Sequence, residues 1–554
     1  MPSPLRKRSR SIVAASSLLV PACLGFVPSA LAQFTPNKLV VSRSVYDNRA
    51  SNVTVGEILP PNCALTTAGC PAGNGAPHNG TYPYVFNNDL YDSNFGITSA
   101  IYLDQLSLTG KLISTLEVPN STKPTVTTDH LVTSFSSKSE LALNLSTDGS
   151  FISFMGYVAP VDTLDVSNSN TPLVIDPTNP DGQTPFYRAV AKVGADGTFD
   201  FTETNAYSGN NGRAAILNSA ADVFYTAGNA GNGSNPQPNG VILGAGAQFI
   251  PEVMQGEQLQ NPGLPTPLGS FSVTELGDKA DKVGKDDNFR GLTVFNNVVY
   301  FTKGSGGNGV NTVYFVDTTG TACPNGVGLP MPGAALPTMP DTYSLSTLQT
   351  SGPNNNMCIL AGFPTALAKT ASPVMYPFGL FFANADTLYV ADEGDGYTGG
   401  TDLYTHAAAQ TMSGGLQKWV FNTTTKQWTY AYTLKNGLGI GSPYTVNKYP
   451  TGNNPATNLP WAPATDGLRN ITGLVGSDGL VAIYAVSSTV SGNGDVGADP
   501  NKLYVIQDVL SNTSATAPAA MLPAYEVEAA KFGEVLRGVS FTPGTNVARL
   551  KDVY

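Results

Sequence analysis

Four arginines stand where apolar runs of the sequence begin, and their chemistry suits the recognition of an anion. They are Arg213, Arg290, Arg469 and Arg537. A guanidinium group presents a planar fork of donors to a carboxylate or phosphate. We therefore expect these arginines to contribute to a ligand-binding funnel.

A structural role for the same arginines is the alternative. Three of them have a carboxylate three residues earlier, and the fourth has Asn210. The carboxylates are Asp287, Asp466 and Glu534. The regular presence of a nearby carboxylate favours ion pairs between these arginines and carboxylates, which would hold neighbouring repeats together. We expect at least two of the arginines to form such pairs.

The acidic, glycine-rich segment Asp392-Glu393-Gly-Asp395 is a candidate metal site. Calcium prefers six to eight oxygen ligands from carboxylates and carbonyls in flexible loops. The segment does not follow the EF-hand pattern, and turns formed by Asp and Gly explain the composition equally well. Ca²⁺ is the one cofactor that the sequence suggests.

Residues for catalysis are sparse, because the chain has only three histidines. His78 could act as a general base with Asp89 or Asp92 as its carboxylate partner, or it could be a solvated loop residue. The nearby rings of Tyr82 and Tyr84 could stack on a sugar or pack the loop. Neither a nucleophile elbow nor a zinc-protease motif occurs.

The elements that must position these residues form a repeat of four short strands. The clearest copy combines Phe378–Phe382, Thr387–Asp392, Leu416–Phe421 and Trp428–Leu434, which are rich in β-branched and aromatic residues and are separated by turns. Four further copies follow the same order, and their first strands begin near Leu141, Arg213, Arg290 and Ile471.

The two ends of the sequence complete one more copy. Arg537–Thr542 is a first strand with no second strand after it, and Lys38–Ser42 is a second strand with no first strand before it. Pairing of the two closes a ring and removes its exposed sheet edges. The sequence thus predicts an all-β fold, a single six-bladed β-propeller of four-stranded antiparallel blades over residues 33–554. Seven blades is the alternative if a long insertion hides one.

Most long connections lie on one face of this predicted ring, and the loop between Cys323 and Cys358 is the exception. Turns between first and second strands are short, whereas connections between second and third strands are long, as at 46–99, 158–185 and 391–414. Long loops on a rigid scaffold usually carry function. We therefore expect any ligand or metal site on the face where the four arginines begin their strands.

The segment Leu388-Tyr-Val-Ala-Asp-Glu-Gly394 resembles the broad group of six-bladed NHL and gluconolactonase-like propellers. The match covers one blade well and the others in outline. It implies a fold and no reaction.

The first 32 residues have the pattern of a signal peptide. A basic segment containing Arg6 and Arg10 precedes the apolar stretch Ile12–Val20, and Ala30-Leu-Ala32 supplies the small residues before a cleavage site. A lipoprotein modified at Cys23 is the alternative. The sequence therefore predicts an extracellular or periplasmic protein after cleavage, with no transmembrane segment.

Composition narrows the partners of the chain. Its net charge is −11, and residues 1–32 hold four basic and no acidic residues, so the rest is more acidic still. Such a surface is a poor match for nucleic acid. We expect a monomer.

The four cysteines other than Cys23 predict two disulfides, Cys63–Cys70 and Cys323–Cys358, because an exported protein meets oxidising conditions.

Two functions stay open at this stage. One is a secreted module that binds a glycan, a small molecule or a surface protein on its loop-rich face. The other is an extracellular hydrolase, lyase or lactonase that uses carboxylates, with or without calcium, at the channel mouth.

Overall fold

The computed structural model is all-β. Its described residues contain one α-helix, α1 (Leu403–Ala409), and two short 3-10 helices at Ala50–Asn52 and Val496–Ala498. Its described residues are 33–46, 49–56, 97–119, 131–134, 140–163, 186–207, 211–229, 246–259, 269–270, 288–304, 309–323, 325–338, 357–455, 457–493, 496–514 and 522–546. Among them, no helix has the length and apolar character needed to span a bilayer.

The described strands follow the chain in this order: β1 (Leu39–Val45), β2 (Thr98–Leu106), β3 (Leu112–Glu117), β4 (Leu131–Ser134), β5 (Asn144–Leu145), β6 (Phe151–Val158), β7 (Arg188–Gly194), β8 (Phe199–Thr204), β9 (Gly212–Asn218), β10 (Val223–Gly228), β11 (Ala247–Pro251), β12 (Gly256–Gln258), β13 (Gly269–Ser270) and β14 (Phe289–Phe295). The second half contains β15 (Val298–Lys303), β16 (Thr312–Val316), β17 (Val327–Gly328), β18 (Met357–Leu360), β19 (Pro377–Asn384), β20 (Thr387–Asp392), β21 (Gly415–Asn422), β22 (Gln427–Leu434), β23 (Ala464–Val475), β24 (Leu480–Val490), β25 (Lys502–Val509), β26 (Tyr525–Ala529) and β27 (Glu534–Phe541).

Four separate sheets are blades in a propeller arrangement. Their antiparallel orders are β9-β10-β11-β13, β14-β15-β16-β18 with β17 added in parallel, β19-β20-β21-β22, and β23-β24-β25-β26. Local chemistry sets the turns, as between β21 and β22, where the Asn422 side chain accepts hydrogen bonds from the backbone N–H groups of Thr424 and Thr425. Lys426 then takes a positive φ of 55°, which reverses the chain.

A fifth sheet has ten strands and differs from the separate blades that we predicted. It contains the antiparallel set β27-β1-β2-β3 and the antiparallel set β5-β6-β7-β8. The two sets are joined because β4 pairs with both β2 and β6, and β12 adds to β8 in parallel. β4 was not predicted from the sequence, because this strand has only four residues and no counterpart in the repeat.

The strands at the two ends of the described chain pair as predicted. β1 and β27 are antiparallel, with Leu39 opposite Phe541 and Val45 opposite Glu534. The first strands of the repeats, β27, β5, β9, β14, β19 and β23, contact one another in that order, and β23 returns to β27. These six inner strands therefore surround a central channel.

Aromatic side chains fill the space between neighbouring blades. Phe382 of β19 stacks on Phe295 of β14 with ring centroids 4.5 Å apart, and it lies 4.6 Å from the ring of Tyr300. Full burial of such a side chain stabilises the fold by about 1.5–3 kcal/mol. Contacts between blades, repeated around the ring, hold the inner strands in register.

Glycines let the inner strands approach one another closely. A Cβ atom on Gly291 would lie 2.2 Å from the carbonyl oxygen of Phe378, and one on Gly538 would lie 2.4 Å from that of Leu141. Because these contacts are with backbone atoms, a larger residue at either position would clash with the neighbouring strand and push the two blades apart.

The disulfide Cys323–Cys358 is present, and it links the segment after β16 to β18 within one blade. Cys63 and Cys70 lie outside the described residues, as do residues 1–32. In the blade that begins with β9, the described third strand is β11.

Candidate functional site: an arginine ring at the channel

A β-bulge recurs at one place in five of the six inner strands. In β9, Gly212 and Ala214 oppose consecutive residues of β10, so Arg213 is an extra residue. Arg537 is the extra residue between Leu536 and Gly538 of β27. In three other inner strands, two residues oppose one residue of the neighbouring strand. These pairs are Arg290-Gly291, Phe378-Gly379 and Arg469-Asn470. A bulge redirects a side chain out of the normal alternation of a strand.

The two inner strands without an arginine are associated with glutamates. Glu140 precedes β5, and Glu393 follows β20 of the blade whose inner strand carries Phe378. In the order of the inner strands the residues are Arg537, Glu140, Arg213, Arg290, Glu393 and Arg469. We call these six residues the arginine ring. In this order Glu140 is second and Glu393 is fifth, so the two glutamates lie on opposite sides of the ring. Each glutamate stands between two arginines.

Glu393 pairs with arginines from both neighbouring blades. Its carboxylate oxygens lie 3.1 Å from Nε of Arg290 and 3.4 Å from Nε of Arg469. Its backbone is fixed as well, because its N–H donates to the carbonyl of Tyr376 and its carbonyl accepts from the hydroxyl of Ser488. One carboxylate therefore compensates part of the charge of two guanidinium groups.

Glu140 is buried and has neutral donors on both oxygens. The hydroxyls of Thr133 and Tyr157 each donate to it at 2.9 Å. Burial raises the pKa of Glu140, and the positive charges of Arg188 and Arg537 oppose that rise. Arg188, itself buried, donates to the Tyr157 hydroxyl and to the carbonyl of Ala206. Arg188 thus adds a fifth guanidinium group beside the ring.

The remaining two ring arginines donate to uncharged oxygens. Arg213 donates to the carbonyl of Phe289 at 2.7 Å, and burial together with nearby Arg290 lowers its pKa. Arg537 donates to the hydroxyls of Ser44 and Tyr46. Glu393 and Glu140 act in the opposite direction on the pKa of Arg213, so the ring brings like charges together with two carboxylates that offset part of their repulsion.

Two of the three carboxylates that the sequence suggested have partners other than the ring arginines. Asp466 accepts hydrogen bonds from the N–H of Gly396 and the amide of Gln410. Glu534 forms an ion pair with Arg43, 3.1 Å away, and Asp287 lies outside the described residues. Residues three apart in a strand point to opposite faces, and the bulges change the alternation further. The spacing was therefore a poor guide to pairing.

Asp392 has a structural role in the loop after β20. Its buried carboxylate accepts from the N–H groups of Tyr376, Gly394 and Gly414, at 2.7 to 3.0 Å, and from the amide of Gln417. Burial raises the pKa of Asp392 to about 6, although the backbone hydrogen bonds act to lower it. Four N–H donors thus saturate this carboxylate.

Asp395 and His406 form an exposed pair beside the ring. The imidazole Nε2 lies 2.6 Å from the Asp395 carboxylate, and Tyr397 stacks on the imidazole with centroids 4.0 Å apart. Gln410 donates to both Asp395 and Asp466, which links the pair to a buried carboxyl. Burial raises the pKa of Asp466 to about 7, and Asp395 adds to the rise. His406 is accessible, since 37% of its side chain is exposed.

The predicted calcium ligands Asp392, Glu393 and Asp395 are not among the convergent ligand groups of the described residues, and a calcium site there stays a prediction. Their oxygens face N–H donors, arginines and an imidazole. In the described part of the chain, the one convergent group of three potential ligands is Asp317 with Cys323 and Cys358. The two sulfurs of that group are joined in the disulfide, so this group does not fit a metal.

Several predicted site residues lie outside the described residues: His78, Tyr82, Tyr84, Asp89 and Asp92. Glu140, Arg188 and His406 were not predicted as site residues from the sequence. Glu140 was open to discovery, because it directly precedes the strand expected at Leu141. Its partners lie on other strands, so no local pattern marked it.

Comparison with known proteins gives no family. No family model matches the chain, and no curated protein matches it. Among solved structures, a structural-genomics protein from Lactobacillus plantarum is 9% identical with a TM-score of 0.34, covering 92% of this chain and 99% of its own. A member of the duf4221 family from Bacteroides vulgatus is 8% identical with a TM-score of 0.22, covering 92% and 88%. These scores are too low to support an argument, and the propeller arrangement is argued from strand pairing alone.

Proposed function

We propose that this chain is an exported six-bladed β-propeller that binds an anionic ligand at the arginine ring. An acidic glycan or a small carboxylate is the ligand class that the guanidinium geometry favours. Residues 1–32 would act as the signal peptide. The proposed likeness to the NHL and gluconolactonase-like propellers is limited to the fold.

The count of six rests on treating the ten-stranded sheet as two blades. Each of its two four-stranded sets has the antiparallel order of the separate sheets, and β4 is the added link between them. The six inner strands contact one another in a closed order. Six blades account for every predicted repeat, so a seventh is not needed.

The observation that carries the ligand proposal is the composition of the arginine ring. Among its six residues there are four guanidinium groups and two carboxylates, and the ring is largely buried. Concentrated charge in a place of low solvent exposure attracts an ion of opposite sign more strongly than a surface charge does. An acidic protein with such a cationic centre should therefore select a small anion over a large acidic surface.

Calorimetric titration with galacturonate oligomers and citrate tests this proposal, with the matching neutral galactose oligomers as ligand controls. We expect binding of an acidic probe that weakens as salt rises. Arg213→Met and Arg537→Met should abolish it. Arg43→Met is the matched control, because Arg43 pairs with Asp104 and Glu534 outside the ring. No binding of either acidic probe, or equal loss in the Arg43 variant, would contradict the proposal.

A second candidate function is hydrolysis at the Asp395–His406 pair. The specific observation in its favour is an accessible imidazole oriented by a carboxylate at 2.6 Å, an arrangement that suits general-base catalysis. A panel of aryl esters, aryl glycosides and lactones tests it with the wild type and His406→Gln. Turnover that persists in the variant, or none in the wild type, would eliminate this candidate.

A further inference from the structure

A cavity lies at the end of the channel opposite the arginine ring. Its volume is about 680 Å³, and each of the six inner strands contributes to its wall. The contributing positions include Asn144, Ile216, Thr293, Leu380, Thr472 and Ser540. From the sequence we expected mainly tight turns on this face and any ligand or metal site on the other face.

The wall offers hydrogen-bonding groups that the protein does not use. Within the described part of the chain, the side-chain hydroxyls of Thr293, Thr472 and Ser540 have no hydrogen-bond partner. The free edge of β9 is partly used, because the carbonyls of Ala215 and Leu217 accept hydrogen bonds from the Asn144 amide and the Thr147 N–H. The strands β14, β19, β23 and β27 each end their sheet, so one backbone edge of each lacks a ladder partner. Such edges present alternating N–H and carbonyl groups, and a ligand rich in hydroxyls can use both.

The cavity has almost no charge to offer a ligand. Asp148 is the one charged residue in its described lining. The Asp148 carboxylate accepts hydrogen bonds from the hydroxyls of Ser146 and Ser219 and from the N–H of Ser150. Burial acts to raise the pKa of Asp148, but these hydrogen bonds outweigh it and lower the pKa to about 2. The charge of Asp148 is therefore stabilised by hydrogen bonds from nearby serines. The described part of the cavity wall offers no other charged group to an ionic ligand.

An aromatic ring and aliphatic side chains complete the wall. Phe381 is partly exposed and lies in the lining beside Leu380 and Ile471. A C–H face of a sugar ring packs well on such a surface, while its hydroxyls require donors and acceptors around the rim. The volume lies within the range of small-molecule sites, about 300–1,000 Å³.

We propose that this cavity is a binding site for a neutral sugar, separate from the anion site at the arginine ring. The hydroxyls of Thr293 and Thr472 and the free strand edges would bond the sugar hydroxyls, and Phe381 would pack against the ring. The protein would then carry two ligands of different charge at the two ends of one channel.

Titration calorimetry with glucose, galactose, N-acetylglucosamine and the corresponding disaccharides tests the site, with glucuronate and glucosamine as charged probes. We expect one neutral sugar to bind with 1:1 stoichiometry. The double variant Thr293→Val/Thr472→Val keeps the shape of the wall and removes two hydroxyls, and it should weaken binding about tenfold. Thr429→Val is the matched control, since Thr429 is exposed on the outer strand β22.

The arginine variants separate this site from the anion site. Arg213→Met should leave sugar binding unchanged, and the threonine double variant should leave anion binding unchanged. Phe381→Ala is a second test of the wall. We expect this variant to bind the sugar more weakly while its circular dichroism spectrum stays unchanged. Absence of binding for every neutral sugar, preference for glucuronate, or loss of sugar binding in Arg213→Met would overturn the proposal.

Discussion

The ammonium group of Lys418 lies 2.8 Å from the carboxylate of Asp508, and both side chains are buried between two neighbouring blades. The hydroxyls of Tyr389 and Tyr432 donate to the same carboxylate. Lys418 also donates to the carbonyls of Val509 and Leu510. All members of this network are thus well bonded, and the pair holds β21 of one blade against β25 of the next.

Replacing Lys418 with Met should destabilise the protein by about 3–5 kcal/mol, because the change leaves a buried carboxylate without its counter-charge. Urea unfolding measures the free energy of unfolding. Lys502→Met is the control, since Lys502 pairs with the half-exposed Glu526, and we expect it to cost about 0–1 kcal/mol. Similar costs for the two variants would show that the buried network does not join the blades.

Ending the chain after Gly533 should abolish cooperative unfolding, because it removes β27 and exposes the edge of β1. Differential scanning calorimetry follows the transition. A chain that ends after Asn546 is the control, since it keeps every described residue of the ring, and it should melt close to the full chain. A sharp, unshifted transition in the shorter chain would refute closure by these strands.

Glu393→Gln should lower the melting temperature, because it leaves Arg290 and Arg469 without the carboxylate that they share. Breaking a buried pair costs about 3–5 kcal/mol. Citrate should restore more of the melting temperature in this variant than in the wild type, since an anion can take the place of the lost charge. The control Glu526→Gln removes a carboxylate elsewhere and should show no such rescue. Equal effects of citrate on both variants would speak against an anion site.

Stability should fall as pH rises from about 4 to 8. Burial raises the pKa of Asp392 and Asp499 to about 6 and that of Asp466 to about 7. The unfolded chain releases these protons near pH 4. The folded state therefore binds more protons in this window, and raising the pH favours unfolding. A melting temperature that rises across this range would contradict the burial of these groups.

Asp466→Asn should flatten this pH dependence, because the amide carries no proton to release. Asp148→Asn is the control of opposite sign. Hydrogen bonds lower the pKa of Asp148 to about 2 despite the opposing effect of burial, so its charge stabilises the folded state above pH 4. That variant should lose stability evenly across the window and leave the slope unchanged.

Peptide mapping without reduction should recover Cys323 joined to Cys358, and we expect Cys63 joined to Cys70. The first bridge closes a loop with a sequence separation of 35. By loop entropy it should stabilise the fold by about 3–4 kcal/mol, which the double variant Cys323→Ser/Cys358→Ser measures by urea unfolding. Recovery of Cys323 and Cys358 as free thiols would contradict the structure.

The repeat was predictable from sequence because each strand carries its own local signal. The runs at Phe378, Thr387, Leu416 and Trp428 became β19–β22, and the unmatched runs at the two ends became a pair of neighbouring strands. Apolar alternation and turn residues are features of short segments. A bridge such as Leu131–Ser134 has only four residues and no counterpart in the repeat, so it gave no signal.

The arginines were predictable as a set, but their partners were not. Their recurrence at the start of inner strands marked them, whereas a bulge adds a residue without changing the apolar pattern. Arg290 and Arg469 share Glu393 although all three come from different blades. Long-range pairing of this kind depends on how blades face one another, which a single sequence does not encode in its spacing.

The antiparallel contact between Leu39–Val45 and Glu534–Phe541 also orders events during synthesis. The first of these strands leaves the ribosome about half a minute to two minutes before the second, at 5–20 residues per second. Throughout that interval an apolar strand lacks its partner. A cell that makes this protein must therefore shield the nascent chain with a chaperone or delay its collapse until the last blade can be completed.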